Sequence, residues 1–421
     1  MQNNTALKAK QIGKDELIVG IDPHKHKHWV VLMTAEAEVV KRFRIENSLP
    51  DFRYLREELG KEAGKRGASR INVAIEAGGH YWHNLGYYLL GQGCNVCLIS
   101  PFTLKRMRDG MDQCRRKNDF RDALAAGELL LRGNYNEGKP IDGEWAQLRS
   151  LYQAWDRLKR ERASAVNLLR GLLDSVFPEV CEVFSDPCGQ SVMEALRLYP
   201  IPQALSRVSE EEFIDEVRAS YEGHRLAVGK LRALYRRAGE SIGVGAGSRG
   251  KGLEIQLIVE RLKLIDRQLG VLKERIRDTL KQFRDSGILL SVPGVGEMSV
   301  AGLLSEIGPI EQYHDAKDLV KLAGVNPTAS ESGGKAGRYT PMSKKGRALL
   351  RGVLWQASLR LIAVNQEFRE WADRMRKREG YGKLNQRQIL GAAMNKLLRL
   401  IFALLSRKEM YRSEQGLSLA A

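Results

Sequence analysis

Apolar residues in the first hundred positions fall into short runs, not helical stripes. ELIVGID (16–22), WVVLM (29–33) and EVVKRFRIE (38–46) are separated by turn residues and predict three strands. Ser48 followed by Pro50 has the form of an N-cap with proline in the first turn, which predicts a helix to about Ala63. INVAIEA (71–77) and NVCLIS (95–100) predict two further strands, with a helix over Tyr81–Leu90 between them. A helix follows Pro101, and another covers about Asp119–Arg132. Short turns imply that the first three strands are antiparallel, and intervening helices imply that the later ones run parallel.

The pattern then changes. Over 252–284, Ile258, Leu262, Ile265, Leu269, Leu272, Ile276 and Phe283 keep a spacing of four and three for most of the stretch. Leu148, Tyr152, Trp155, Leu169, Leu172 and Val176 give a looser version over 144–177. Such stripes with charged flanks predict long helices packed as a coiled coil, either within one chain or between chains. Between them, 184–250 reads as an inserted helical lobe, with an acidic run at Glu210–Glu212 and a flexible GVGAGSRGKG linker at 243–252. From Ser286 a mostly helical third unit begins, interrupted by a glycine- and serine-rich loop over 324–346. The predicted organisation is a polar tail (1–15), an α/β domain (16–140), a helical coiled-coil region (141–285) and a C-terminal domain (286–421). The order of elements in the α/β domain suits a ribonuclease-H-like fold.

Composition sharpens this picture. The chain has 421 residues with 68 Lys+Arg against 51 Asp+Glu, a net charge of +17. That excess points to a polyanionic partner, above all nucleic acid. There is no run of eighteen apolar residues and no apolar segment at the N-terminus, so neither a membrane span nor a secretory signal is expected. Five cysteines rule out a disulfide scaffold and suit a reducing cytoplasm.

Four carboxylates are placed for chemistry. Asp22 ends the first strand in VGID, and Glu76 ends the fourth in VAIEAGG. Asp119 and Asp122 lie three apart in KNDFRDA and share one helix face. Neighbouring strand ends would bring Asp22 and Glu76 together. Clustered carboxylates repel unless cations neutralise them, and hard oxygen ligands suit Mg²⁺ or Mn²⁺. Two such ions, about 3.5–4 Å apart, can activate an attacking oxygen and stabilise a leaving oxygen at a phosphodiester. Unrelated surface acids would need no such context. His24, His26 and His28 alternate like a metal tract, yet no fourth ligand is evident. Cys94 and Cys97 form a CxxC without a second pair and read as buried apolar residues.

Two further segments could meet phosphate. The VPGVGE turn (292–297) resembles the glycine turn of a helix-hairpin-helix, in which backbone amides around Gly294 and Gly296 bind phosphate, although a plain interhelix turn has the same sequence. The stretch from Ser332 to Gln366 holds seven Lys/Arg and no Asp/Glu, among them Lys335, Arg338, Lys344, Lys345, Arg347 and Arg351. A basic loop of this kind can bind phosphate alone, or it can support a serine nucleophile by stabilising its alkoxide.

GID, IEAGG, KNDFRDA, VPGVGEMSVAGLLSEIG, KLAGVNP, SGGKAGRYTPMSKKGRALLR and ILGAAMNKLLRLIFALL together resemble the IS110 family of insertion-sequence transposases, including its IS1111 branch and the related Piv-type DNA invertases. The motifs lie at both ends of the chain in the family's order. The resemblance implies a RuvC-like domain whose D-E-D-D metal site maps to Asp22, Glu76, Asp119 and Asp122. It implies a serine nucleophile at Ser332, with Ser330 as the rival position and Ser343 close by. It also implies a coiled coil with dimer contacts, and an active site in which the carboxylates of one subunit meet the serine of another. The implied activity is DNA strand exchange through a covalent phosphoserine, directed by a structured non-coding guide RNA (a bridge or seek RNA) that pairs with donor and target DNA. A dimer or tetramer in a bacterial or archaeal cytoplasm follows. A metal-dependent nuclease, or an invertase acting without RNA, stays open as the alternative.

Overall fold

A computed structural model describes residues 12–111, 118–135, 143–328, 331–332, 335–336, 341–378 and 384–413. The chain forms two compact units, Met1–Gly143 with Gly308–Leu322, and Glu144–Ile307 with Ala323–Ala421.

The first unit is built on strands β1 (Glu16–Pro23), β2 (Lys27–Met33), β3 (Val39–Glu46), β4 (Arg70–Glu76) and β5 (Asn95–Ile99) in the order β3-β2-β1-β4-β5. β1, β2 and β3 are antiparallel neighbours, and β4 and β5 run parallel to β1, as the connection lengths require. Helices α1 (Leu49–Arg66), α2 (His83–Gly91), α3 (Pro101–Met111) and α4 (Asp119–Leu131) fill the connections. Ser48 caps α1 by accepting from the Asp51 amide at 3.4 Å, and Gly67 ends it in the left-handed region at φ 62°.

Strand alternation sorts the residues between two faces. Leu17, Val19, Ile21, Val73 and Ile75 pack against Phe52, Leu55 and Leu59 of α1 and Leu85 and Leu89 of α2. Ile18, Ala74 and Ile99 pack on the other face, against Leu104 of α3 and Ala123, Ala126 and Leu130 of α4. By the same period, Gly20, Asp22 and Glu76 belong to the face that α4 covers.

Among its described residues the second unit is helical apart from one short hairpin and an isolated bridge. Its long helices are α5 (Gly143–Val176) and α11 (Ser248–Leu280). Between them lie α6 (Glu179–Val183), α7 (Gln190–Leu198), α8 (Pro202–Leu205), α9 (Glu210–Ser220) and α10 (Val228–Ala238). α5 and α11 lie antiparallel, tied by Arg162 to Asp266 (2.5 and 3.2 Å) and Arg261 to Glu161 (2.7 Å). Leu169, Leu173, Ile258, Val259 and Leu262 join Phe213, Val217 and Leu231 of the lobe in a single core. The periodic stripe of α11 is therefore spent largely inside the chain, since Ile258, Leu262, Ile265 and Ile276 are buried. A different set, Leu253, Leu257, Leu264 and Val271, stays about half exposed on the same helix.

One expectation changes. The glycine stretch at 243–252 is a packed turn, and α11 starts within it at Ser248. Val244 donates its amide to the Ser175 carbonyl at 2.9 Å, and a β-carbon on Gly243 would stand 2.1 Å from the Val176 carbonyl oxygen. Gly243 serves this close approach, and Gly247 takes the left-handed φ of 72° that starts α11. The acidic run Glu210–Glu212 is the first turn of α9, where Ser209 and Glu212 form a capping box and the carboxylates meet the positive end of the helix.

The remaining helices are α12 (Arg284–Leu290), α13 (Glu297–Ile307), α14 (Ala316–Ala323), α15 (Ala348–Val364), α16 (Gln366–Lys377) and α17 (Gln386–Arg407). Among the described residues α17 alone is long and apolar enough to cross a membrane by length and composition. Here it is a core helix: Ile389, Leu390, Leu397, Leu398, Ile401 and Leu405 are buried, and it packs on α12, α15 and α16.

Candidate active site

Asp22 and Glu76 close neighbouring parallel strands, and the register pairs Ile21 with Ile75 directly before them. α4 lies across this sheet end because its inward face is small. A β-carbon on Gly20 would fall 1.9 Å from the Ala123 carbonyl oxygen, and one on Gly127 would fall 2.6 Å from the Met33 sulfur. Asn118 caps α4 by accepting from the Phe120 amide at 3.0 Å, which places Asp119 and Asp122 in the first turn. β1, β4 and the start of α4 thus supply the four carboxylates that the sequence singled out.

Their electrostatics are those of a crowded acidic site. Burial pushes the Asp22 carboxyl up; His24 opposes this, and Asp122 and Asp119 add to it. Burial also pushes Glu76 up, reinforced by Asp22 and Asp122 and opposed by Arg108 and His24. Asp122 is 4 % exposed, and its Oδ1 has no hydrogen-bond partner among the described residues. Its Oδ2 accepts from the Arg108 guanidinium of α3 at 2.6 Å. A buried carboxylate oxygen without a donor is costly. Clustered oxygen donors with raised proton affinity fit a divalent cation, which would supply what that oxygen lacks.

His24 joins the site, which the sequence did not foretell. Its Nε2 lies 3.0 Å from Asp22 Oδ2. One ligand atom from each of Asp22, His24 and Asp119 lie within 4.8 Å of one another. Trp29 backs the imidazole, with ring centroids 5.0 Å apart. The available signal was the i, i+2 spacing from Asp22. The three histidines do not form a tract, because the β1–β2 turn separates them. His26 is exposed, and His28 is buried near Phe52, where burial pushes its pKa down. Cys94 and Cys97 are buried, as expected of apolar residues.

In the second unit Ser332 and Lys335 pair across the two-stranded hairpin of β6 (Glu331–Ser332) and β7 (Lys335–Ala336). Ser330 and Arg338 lie outside the described residues. The arm rises from a short stem: Pro327 bridges Met342, the Thr328 amide donates to the Pro341 carbonyl at 2.8 Å, and the Ser343 amide donates to the Asn326 carbonyl at 2.9 Å. The Ser343 hydroxyl donates to Asn326 Oδ1 at 2.7 Å, so it is engaged in the stem.

The basic residues divide into two groups. Lys344 and Lys345 are exposed, and Lys344 has a positive φ of 54°. Arg347 and Arg351 are structural anchors in this arrangement. Arg347 donates to the Glu306 carbonyl, and Arg351 donates to the carbonyls of Ala323 and Gly346 at 3.0 and 2.9 Å. Glu306, 2 % exposed, also faces Arg149 at 3.5 Å. The turn between α12 and α13 divides likewise. Gly294, at φ 97°, sits against α15, where a β-carbon would meet the Arg360 carbonyl oxygen at 3.0 Å, whereas Gly296 is exposed.

The first unit is a mixed sheet with four acids gathered at one end, and the second is a helical unit with Ser332 in a short hairpin. Residues 19–178 match the DEDD transposase model of the IS110 family, and residues 286–372 match the transposase model of the IS116/IS110/IS902 family. The chain belongs to this transposase family. It is 26 % identical over 81 % of its length, and 84 % of the relative's, to the mini-circle putative transposase for IS117 of Streptomyces coelicolor. It is 25 % identical over 81 % of its length, and 79 % of the relative's, to the transposase for insertion sequence element IS1111A of Coxiella burnetii. Among solved structures, Thermus thermophilus RuvC with a Holliday junction substrate aligns at 14 % identity and a TM-score of 0.21, over 28 % of this chain and 98 % of that one.

Proposed function

We propose that this protein is an RNA-guided DNA transposase that cuts and rejoins strands through a covalent phosphoserine. The observation that carries the reading is the convergence of Asp22, Glu76, Asp119 and Asp122 on one partly buried sheet end, with an Asp122 oxygen that has no donor among the described residues. The strand order, antiparallel first and parallel afterwards, supports a ribonuclease-H-like, RuvC-like domain. In this reading Asp22, Glu76, Asp119 and Asp122 hold Mg²⁺ or Mn²⁺. When bound, the ions would lower the cost of negative charge on the attacking and leaving oxygens at a phosphodiester.

Ser332 is the nucleophile in this reading. Its Oγ bonds to phosphorus and loses its proton, a bridging P–O bond breaks, and the displaced sugar hydroxyl takes up a proton. The reverse step passes the phosphoryl group to a hydroxyl of another strand, which accounts for rejoining without an outside energy source. Lys335, Arg338, Lys344 and Lys345 would neutralise phosphate nearby. The engagement of Ser343 in the stem supports Ser332 over that neighbour.

The +17 charge supports backbone affinity for nucleic acid, which is general and carries no sequence choice. A guide RNA would supply that choice. The half-exposed stripe of Leu253, Leu257, Leu264 and Val271 supports self-association through α11. Sequencing the RNA that co-purifies with protein expressed beside its native flanking DNA tests the guided reading. One discrete structured RNA from the flank is the expected result. Heterogeneous RNA removable by salt would favour a nuclease or an invertase acting without RNA.

A further inference from the structure

The acidic cluster is not evenly shared. Asp22, His24 and Asp119 present ligand atoms within 4.8 Å of one another, whereas Asp122 is tied to Arg108 at 2.6 Å. The 3.0 Å between His24 Nε2 and Asp22 Oδ2 is about the separation of adjacent ligands around an octahedral ion with bonds near 2.1 Å. Arg108 carries a permanent charge that cannot be removed by deprotonation. Its side chain is 36 % exposed against 6 % for Asp122, so the arginine can leave and the carboxylate cannot.

We propose that Arg108 competes with a divalent cation for Asp122 and thereby divides the cluster into two unequal cation sites. The strong site is Asp22, Asp119 and the imidazole of His24, a nitrogen donor in an otherwise oxygen set. The weak site is Asp122 with Glu76, and a cation enters it only as the guanidinium leaves. The division rests on the metal-site reading given above.

One observation and one general property of arginine support it. Asp122 has one oxygen engaged by Arg108 and one with no donor, so it is half prepared for a ligand that the arginine keeps off. A guanidinium released here has a ready partner in a phosphodiester, which takes arginine in bidentate fashion. The second site would then fill best when a DNA strand is present, restraining hydrolysis elsewhere.

Mn²⁺ binding to the purified full-length protein, counted by electron paramagnetic resonance without nucleic acid, tests this. Wild type is expected to bind one ion tightly, with ¹⁴N coupling that His24→Gln removes. Arg108→Gln is expected to keep that coupled ion, which also reports a folded site, and to bind a second about tenfold or more tighter than wild type. Arg108→Lys, which keeps the positive charge, is expected to stay near the wild-type count. Two equally tight ions in wild type, or no gain in Arg108→Gln, would overturn the division. A tight ion without ¹⁴N coupling would remove His24 from the strong site and overturn the proposal as stated. No Mn²⁺ bound at all would instead overturn the metal-site reading on which it rests.

Discussion

A β-carbon on Gly20 would stand 1.9 Å from the Ala123 carbonyl oxygen, closer than any contact a side-chain shift could relieve. Gly20→Ala therefore moves α4 bodily and carries Asp119 and Asp122 away from Asp22. A stability loss of about 1–3 kcal/mol is expected, read from urea unfolding, together with weakened cation binding. Unchanged stability would mean that α4 does not sit where its helix start and the acids require. The acids themselves give a pH prediction. The carboxyls of Asp22 and Glu76 lie above their ordinary values of 3.8 and 4.5 in the folded chain. Folding then favours their protonated forms, so with cations chelated their stability penalty is absent below those values and grows as pH rises through them. In the proposed reading, bound Mg²⁺ would relieve the penalty. Thermal melts should show a larger Mg²⁺ increment at about pH 8 than at about pH 5. The opposite order would contradict a shared acidic cation site.

At the scale of elements, strands of period two and the Ser48 cap were legible because each depends on near neighbours in sequence. The alternation that put Leu17, Val19 and Ile21 on one face also put Asp22 on the other, so the site could be anticipated from the same rule that gave the sheet. His24 could not, because its place depends on how the β1–β2 turn bends. Arg108 could not either, since its partner lies fourteen residues away on another helix. The helical stripes were legible as helices but not as interfaces. Periodicity reports which face is apolar, and the lobe of α6 to α10 is what covers Ile258 and Leu262. This yields a contrast within one helix. Leu257→Asp and Leu264→Asp, on the exposed stripe, should weaken self-association in sedimentation while leaving the melting temperature nearly unchanged. Leu262→Ala, in the core, should cost about 2–5 kcal/mol of stability. Self-association indifferent to both exposed changes would remove α11 as the contact.

At the scale of the molecule, the acids and the serine arm sit in two different compact units of one chain. The acidic cluster belongs to the sheet unit and the serine arm to the helical unit. A nuclease needs only the first of these. A serine on a basic arm, with Ser332 in β6 and Lys335 opposite it in β7, would in the proposed reading hold on to the strand that has been cut. The most direct test is to incubate the protein with the proposed guide RNA, Mg²⁺ and matching DNA, denature the mixture, and map any protein–DNA adduct by mass spectrometry. The account predicts a phosphodiester link at Ser332 that is absent in Ser332→Ala and in Asp22→Asn. Cut DNA with free ends and no adduct would contradict it and leave hydrolysis as the chemistry.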